Sequence, residues 1–291
     1  MTVQPSVREL QFRGAAFRDL HNGPDAFVIP NPWNAGTAHI LSGLGFPALA
    51  TTSAGLAVAL GHPDGANQLD RDTVIANARE IVEATELPVS ADLESGFAAT
   101  PAGVAETFAA AGAAGLVGGS IEDATGLPGD PVRPLGEAVE RVAAAVEAAR
   151  ALPFPFTVTA RAENFLYGRP DLEDTIRRLQ AYEEAGADVL YAPGLPSAEA
   201  VRAVCGAVGK PVNVLAGSQK PALGVAELAA CGARRISLGS TMFRAALGGL
   251  VQAAREVLDH GTFGFTADAP PYGEVNQWMT RAAGRVDGAC P

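Results

Sequence analysis

Leu87-Pro88-Val89-Ser90-Ala91-Asp92-Leu93-Glu94, then an Ala-rich stretch over 101–112, then Ala111-Gly112-Ala113-Ala114-Gly115 running into Ser120-Ile121-Glu122-Asp123, is the passage whose reading decides the fold. A short apolar run bounded by turn residues reads as a buried strand, and a longer stretch of helical period reads as a helix. Strand, helix and strand in direct succession make a parallel βαβ unit. Working outward, the same alternation predicts strands near 26–30, 47–52, 87–92, 115–121, 155–160, 188–192, 211–215 and 235–238. Helices are expected near 35–45, 70–86, 101–112, 135–151, 171–186, 197–208, 221–231 and 240–258. Ala185-Gly186-Ala187-Asp188 and Cys231-Gly232-Ala233 repeat the Ala-Gly-Ala phrase, placing glycine where a helix end needs a left-handed residue before the next strand. Eight such units favour closure into a (β/α)8 barrel, and no G-x-G-x-x-G follows the first strand to favour a dinucleotide fold. Residues 1–260 are therefore expected to form one catalytic barrel, and 261–291, rich in Gly, Pro and Ala, a tail that serves as lid or intersubunit arm, or is disordered.

Composition narrows the function. The formal net charge is −11, and Lys210 and Lys220 are the only lysines, so the clustered cations that bind nucleic acid are missing. No run of about 18 apolar residues suggests a membrane span, and Met1 to Arg18 has no signal-peptide core. Cys205, Cys231 and Cys290 are widely spaced and match no metal or disulfide signature, which points to a reducing cytoplasm. His21, His39, His62 and His260 show no paired spacing, and none is assigned to a metal.

Reactive groups of a barrel lie at the C-terminal ends of its strands. There the third strand carries Asp92 and Glu94, which strand alternation puts on one side, and the fourth ends in Glu122-Asp123. Carboxylates at neighbouring strand ends repel unless a cation or protons compensate them, and oxygen ligands suit Mg²⁺ or Mn²⁺ better than Zn²⁺. The alternative is that these acids cap helices or pair with arginine. Arg161 ends the fifth strand and is placed to grip a substrate carboxylate through its fork, or else to pair with Glu163 or Glu122. Thr51-Thr52-Ser53-Ala54-Gly55-Leu56 ends the second strand in small residues whose N–H groups could cradle a carboxylate or enolate oxygen. Asp64 follows in a Pro- and Gly-containing turn that can equally be a solvent loop. Gly239-Ser240 after the eighth strand reads as a tight turn and helix cap rather than a phosphate site.

Taken in order, Asn31-Pro32-Trp33-Asn34-Ala35, Thr52-Ser53-Ala54-Gly55-Leu56, Leu60-Gly61-His62-Pro63-Asp64-Gly65, Ala91-Asp92-Leu93-Glu94-Ser95-Gly96, Ser120-Ile121-Glu122-Asp123 and Thr159-Ala160-Arg161 resemble the isocitrate lyase and phosphoenolpyruvate mutase superfamily. The resemblance spans about residues 25 to 260. It implies a barrel whose last helix is exchanged between subunits of a homotetramer, and Mg²⁺ held largely through water by Asp92, Glu94 and Glu122. It further implies that Ser53, Ala54, Gly55, Leu56 and Arg161 bind the substrate, with Trp33 and Asn213 beside them, and that Asp64 sits near the reacting group. The shared chemistry is an enolate of pyruvate or a similar 2-oxo acid.

The chain departs from that pattern after the fourth strand. Isocitrate and methylisocitrate lyases carry Lys-Lys-Cys-Gly-His there, whereas this chain has Asp123-Ala124-Thr125-Gly126-Leu127-Pro128-Gly129-Asp130, without Cys, Lys or His. No lysine precedes Lys210, so a transferring phosphoryl group also lacks its usual positive partner. The expectation is a Mg²⁺-dependent lyase acting on a small 2-oxo or hydroxy carboxylate by C–C cleavage or decarboxylation, as in oxaloacetate, through a cation-stabilised enolate. Asp64, Tyr191 and Asn213 are candidates for the proton donor. The alternatives are C–P chemistry of the phosphoenolpyruvate mutase or phosphonopyruvate hydrolase kind, Schiff-base aldol chemistry on Lys210 or Lys220, and a barrel that binds 2-oxo acids without turnover.

Overall fold

The structure is a computed structural model and describes residues 4–65, 68–127 and 129–281. Eight strands, β1 (Phe27–Ile29), β2 (Leu49–Ala50), β3 (Val89–Asp92), β4 (Gly118–Glu122), β5 (Thr157–Arg161), β6 (Val189–Tyr191), β7 (Val212–Leu215) and β8 (Arg235–Ser237), run parallel in the order β1-β8-β7-β6-β5-β4-β3-β2. Ala50 N–H donates to the Pro30 carbonyl at 3.0 Å, bringing the β1 and β2 edges together and nearly closing the barrel. Around it lie α1 (Val7–Asn22), α2 (Ala35–Gly43), α3 (Ser53–Ala59), α4 (Arg71–Glu83), α5 (Pro101–Ala113), α6 (Leu135–Arg150), α7 (Leu172–Glu184), α8 (Ala198–Ala207), α9 (Val225–Ala230) and α10 (Thr241–His260). The expected (β/α)8 architecture is the observed one.

The helices start where side chains satisfy the orphan N–H groups of the first turn: Asp70, Thr100, Asp171 and Ser197 each accept from the third residue on. Gly186 and Gly232 take the left-handed conformation between helix and strand, as the repeated phrase implies. In the phrase before β4 that role falls to Gly115, while Gly112 lies within α5, where a Cβ would come within 2.7 Å of Leu152. Outward strand residues such as Val158, Ala160, Val214 and Ile236 are buried against the helices. Inward positions differ from the aliphatic layers usual in such barrels. Ser90, Thr157, Thr159, Asn213, Arg235 and Ser237 make this interior polar.

Up to α10, two of the described helices are additional to those expected. α1 begins with a capping box, Ser6 with Glu9, and buries Leu10, Gly14, Phe17 and His21 along one face. Phe17 reaches the start of β4, where a Cβ on Gly118 would lie 2.8 Å from its ring, and stacks edge-on with His21 and Phe27. Burial of that ring stabilises the attachment by roughly 1.5–3 kcal/mol. α3 follows β2 directly because Thr52 caps it, its Oγ1 accepting from Gly55 N–H.

Beyond α10, Gly264–Ala267 form a 3₁₀ turn and α11 (Tyr272–Arg281) packs against α2. The remainder of the expected tail, 282–291 with Cys290, lies outside the described residues. Cys205 and Cys231 are free thiols. Among the described residues no helix is long and apolar enough to cross a membrane. α10 buries only Phe243, and Leu258 on it is 83% exposed.

Candidate active site

A cavity of about 690 Å³ opens at the C-terminal ends of the strands, a size ordinary for small-molecule sites. Asp92 sits at its centre. Asp92 N–H donates to Thr51 Oγ1 at 2.9 Å, its Oδ2 accepts from Ser53 Oγ at 2.9 Å, and its Oδ1 accepts from Ser120 Oγ at 3.3 Å. Strands β2, β3 and β4 thus converge on one carboxylate.

Arg161 lies across the same group, its side chain 12% exposed. Its Nη1 is 2.7 Å from Asp92 Oδ1, its Nη2 3.1 Å from Glu122 Oε2, and its Nε 2.8 Å from Glu163 Oε1. The ring of Tyr191 stands 5.3 Å from the guanidinium carbon, within cation–π range. Burial disfavours the charge on Arg161, but Glu163, Glu122 and Asp92 outweigh it and push its pKa up. Glu163 is itself fixed from behind: its N–H donates to Asp123 Oδ1 at 2.8 Å, and Asp123 Oδ2 accepts from Tyr182 at 2.6 Å and Arg178 at 3.1 Å.

Glu94 lies past the strand end, with φ +47°, a left-handed conformation that non-glycine residues adopt only under constraint. Arg141, buried on α6, supplies it by donating to the carbonyls of Ser95 at 2.5 Å, Ala98 at 2.8 Å and Ala99 at 3.3 Å, fixing the loop that follows. Burial, and then the charges of Asp92 and Asp64, raise the Glu94 pKa to about 7. Burial and Asp92 raise that of Asp64 as well. Glu122 is raised well above the usual range by burial despite Arg161.

Asp64, Asp92, Glu94, Glu122 and Glu163 therefore line one cavity with Arg161 as their only ion-pair partner among the described residues. Such an excess of hard oxygen donors fits a divalent cation. Among the described residues no three of the acids are grouped closely enough to ligate an ion directly. The fit is to a hydrated ion reached through water, the state Mg²⁺ prefers because it dehydrates reluctantly.

Ser53, Ala54, Asp64, Asp92, Glu94, Glu122, Arg161 and Asn213, all singled out from the sequence, line the cavity. Trp33, Gly55 and Leu56 do not. Trp33 packs edge-on against Phe243 at 5.1 Å, the Gly55 amide is taken by Thr52 Oγ1 at 3.2 Å, and Leu56 N–H donates to the Thr52 carbonyl at 3.0 Å. Folding of α3 consumes the Gly55 and Leu56 N–H groups, which an irregular loop would have left free. Ser120, Tyr167 and Arg235 line the cavity without having been singled out. For Arg235 the signal was available, since inward alternation from Ser237 in the eighth strand reaches it. Neither lysine and neither described cysteine is among the lining residues.

A family model described as phosphoenolpyruvate phosphomutase matches residues 17–258. The chain is 31% identical over 207 residues to the 2-methylisocitrate lyase of Escherichia coli, covering 68% of each. It is 29% identical over 227 residues to the 2,3-dimethylmalate lyase of Eubacterium barkeri, covering 75% of this chain and 76% of that one. Among solved structures, a Burkholderia cenocepacia J2315 protein matches at 54% identity and TM-score 0.91, covering 94% of this chain and 97% of its own. An oxaloacetate acetylhydrolase bound to its product oxalate matches at 27% identity and TM-score 0.83, covering 93% and 95%.

Proposed function

The chain belongs to the phosphoenolpyruvate phosphomutase family, within the superfamily of Mg²⁺-dependent lyases and mutases that includes the isocitrate lyases, and from that premise we propose that it is a carbon–carbon lyase acting on a small 2-oxo or 2-hydroxy acid. The reaction is cleavage or decarboxylation of an oxaloacetate-like substrate through an enolate. The observation that carries this reading is the cavity in which five carboxylates surround the single paired cation Arg161. Asp92, Glu94 and Glu122 would hold Mg²⁺, which when bound supplies Lewis-acid polarisation of the 2-oxo group.

The chain's own residues do the rest. Ser53 and Ala54 occupy the first turn of α3, where amides have no helical acceptor and can receive a substrate carboxylate. Arg161 is held rigid by three acids, which sets the direction of its remaining N–H groups toward substrate oxygens. Asp64, at the cavity mouth and raised in pKa by partial desolvation and then by Asp92, is the group best placed to hold a proton for the departing carbon. No thiol is placed for that task among the lining residues, so the acid differs from the cysteine of isocitrate lyases. The absence of lysine from the lining argues against both Schiff-base chemistry and phosphoryl transfer. We further propose a homo-oligomer, because α10 presents an apolar face that the described residues leave largely uncovered.

Asp92→Asn tests the assignment. Mg²⁺-dependent binding of oxalate, an analogue of the enolate, should weaken at least tenfold and oxaloacetate turnover should fall with it, because the shared carboxylate is lost. Oxalate binding that is equally tight with Mg²⁺ or with chelator, in both proteins, would overturn the reading. Tight binding without turnover of any 2-oxo or 2-hydroxy acid would reduce the protein to a binding barrel.

A further inference from the structure

One layer beneath the acid cluster, the barrel interior holds a second cation. Arg235 opens β8, points inward, is 4% exposed and lines the floor of the cavity. Its Nε donates to Asn213 Oδ1 at 3.0 Å and its Nη1 to Thr159 Oγ1 at 3.1 Å, both neutral acceptors. Among the described residues no carboxylate lies within ion-pair distance of it. The buried Arg178 differs, pairing with Asp123 at 3.1 Å and Asp174 at 2.7 Å.

A buried charge without a counter-charge costs several kcal/mol, a cost that methionine or leucine of similar volume would avoid. Burial, reinforced by the like charge of Arg161, lowers the Arg235 pKa to about 10, so the group still carries its charge at neutral pH. The surroundings are arranged around it. Asn213 Nδ2 donates to Ser237 Oγ at 3.0 Å, which fixes the amide so that its oxygen faces the guanidinium. Ala50 and Ser90, both small, line the same cavity.

We propose that Arg235 binds the second carboxylate of the substrate, so that the site selects four-carbon dicarboxylates over monocarboxylic 2-oxo acids. The inference rests on the reading of the rim as the place where the 2-oxo acid end binds. Thr159 precedes Arg161 by two residues on β5, so the Arg235 contact lies about 6–7 Å deeper than the rim layer. A four-carbon diacid with one end at the rim carries its other carboxylate toward that depth. Arg161 is already engaged by three protein acids, leaving Arg235 as the cavity arginine with no acid partner among the described residues. Occupation by a carboxylate gives the buried charge its counter-ion through a charge-assisted hydrogen bond.

Pyruvate and oxaloacetate share a 2-oxo acid head and differ in the distal carboxylate, so their relative affinity isolates this contact. Both are measured by competition against oxalate in saturating Mg²⁺, with wild type, Arg235→Met and Arg235→Lys. The wild type should prefer oxaloacetate by about 10–100-fold, the range for a charge-assisted hydrogen-bonded pair. Arg235→Met should bring the preference to within about threefold while pyruvate and oxalate bind nearly as in wild type. Arg235→Lys, which keeps the charge but not the fork, should recover part of the preference, and stands in should the methionine variant not fold. Equal loss of pyruvate and oxaloacetate affinity, or a preference unchanged in Arg235→Met, overturns the proposal while Mg²⁺-dependent oxalate binding still supports the rim reading. Failure of the wild type to bind oxalate in a Mg²⁺-dependent way overturns both.

Discussion

Replacing Arg161 by methionine removes the cation shared by Asp92, Glu122 and Glu163 and leaves three largely buried acids facing one another. Its ion pairs, at 2.7, 3.1 and 2.8 Å, join side chains that are at most 21% exposed, so the discount for solvent screening that applies to surface pairs is small here. Removing one partner of a buried pair costs about 3–5 kcal/mol, and three acids losing one cation places this case at the upper end. For a protein of this size each kcal/mol shifts the melting temperature by about 2–4 °C, so Tm measured in chelator should fall by roughly 6–20 °C. Differential scanning calorimetry of wild type and variant in EDTA reads that difference. Repeating the scan in excess MgCl₂ should recover part of it, because an ion bound only by the folded state stabilises it by mass action. Arg161→Lys should lie between the two, retaining one charge but at most part of the fork. A methionine variant within about 1 kcal/mol of wild type in EDTA would mean that the acids are already neutral or hydrated, and the electrostatic account of the site would have to be abandoned.

Acid stability should report on the barrel floor. Burial, and then the charge of Arg235, hold the His21 pKa down at about 3 against an ordinary 6.5, and its Nε2 has no hydrogen-bond partner. The unfolded chain therefore binds a proton that the folded one refuses. The stabilisation is fully present above pH 6.5 and is lost as pH falls toward 3, at about 1.4 kcal/mol per pH unit. Urea titrations between pH 7 and 4.5 should show a loss of about 2.7 kcal/mol from this group that His21→Phe abolishes; parallel pH profiles for the two proteins would exclude it. The apolar face of α10 should be an assembly surface: Leu258→Glu, at a position 83% exposed in the protomer, should shift the species seen by light scattering toward monomer, since burying a leucine contributes about 1.5–3 kcal/mol per subunit. An unchanged mass distribution at micromolar protein would remove that surface from consideration.

Much of the molecule is legible in its sequence, and the reason is locality. Strand and helix periods are set by neighbours within a few residues, so the eight units were readable, as were the strand-end positions of Asp92, Glu122 and Arg161. α1 was missed: Ser6, Glu9 and the spacing of Leu10, Gly14, Phe17 and His21 carry its signal, but its polar composition masked it. What a strand end meets across the barrel is not local. Arg161 reaches Asp92 from 69 residues away, and Arg235 reaches Thr159 from 76. Those distances depend on closure and on the register of each strand pair, which no single segment encodes.

The sequence by itself thus determined an eightfold alternation with acids and an arginine at its strand ends, because periodicity and strand polarity are properties of short segments. Only the tertiary structure decided that Arg161 is shared among three carboxylates, that α3 withdraws Gly55 and Leu56 from the cavity while Trp33 packs on Phe243, and that Arg235 stands unpaired on its floor. Those facts follow from which side chains the closed barrel brings within a few ångströms, where burial and the nearest charge, rather than residue type, set what each group can do.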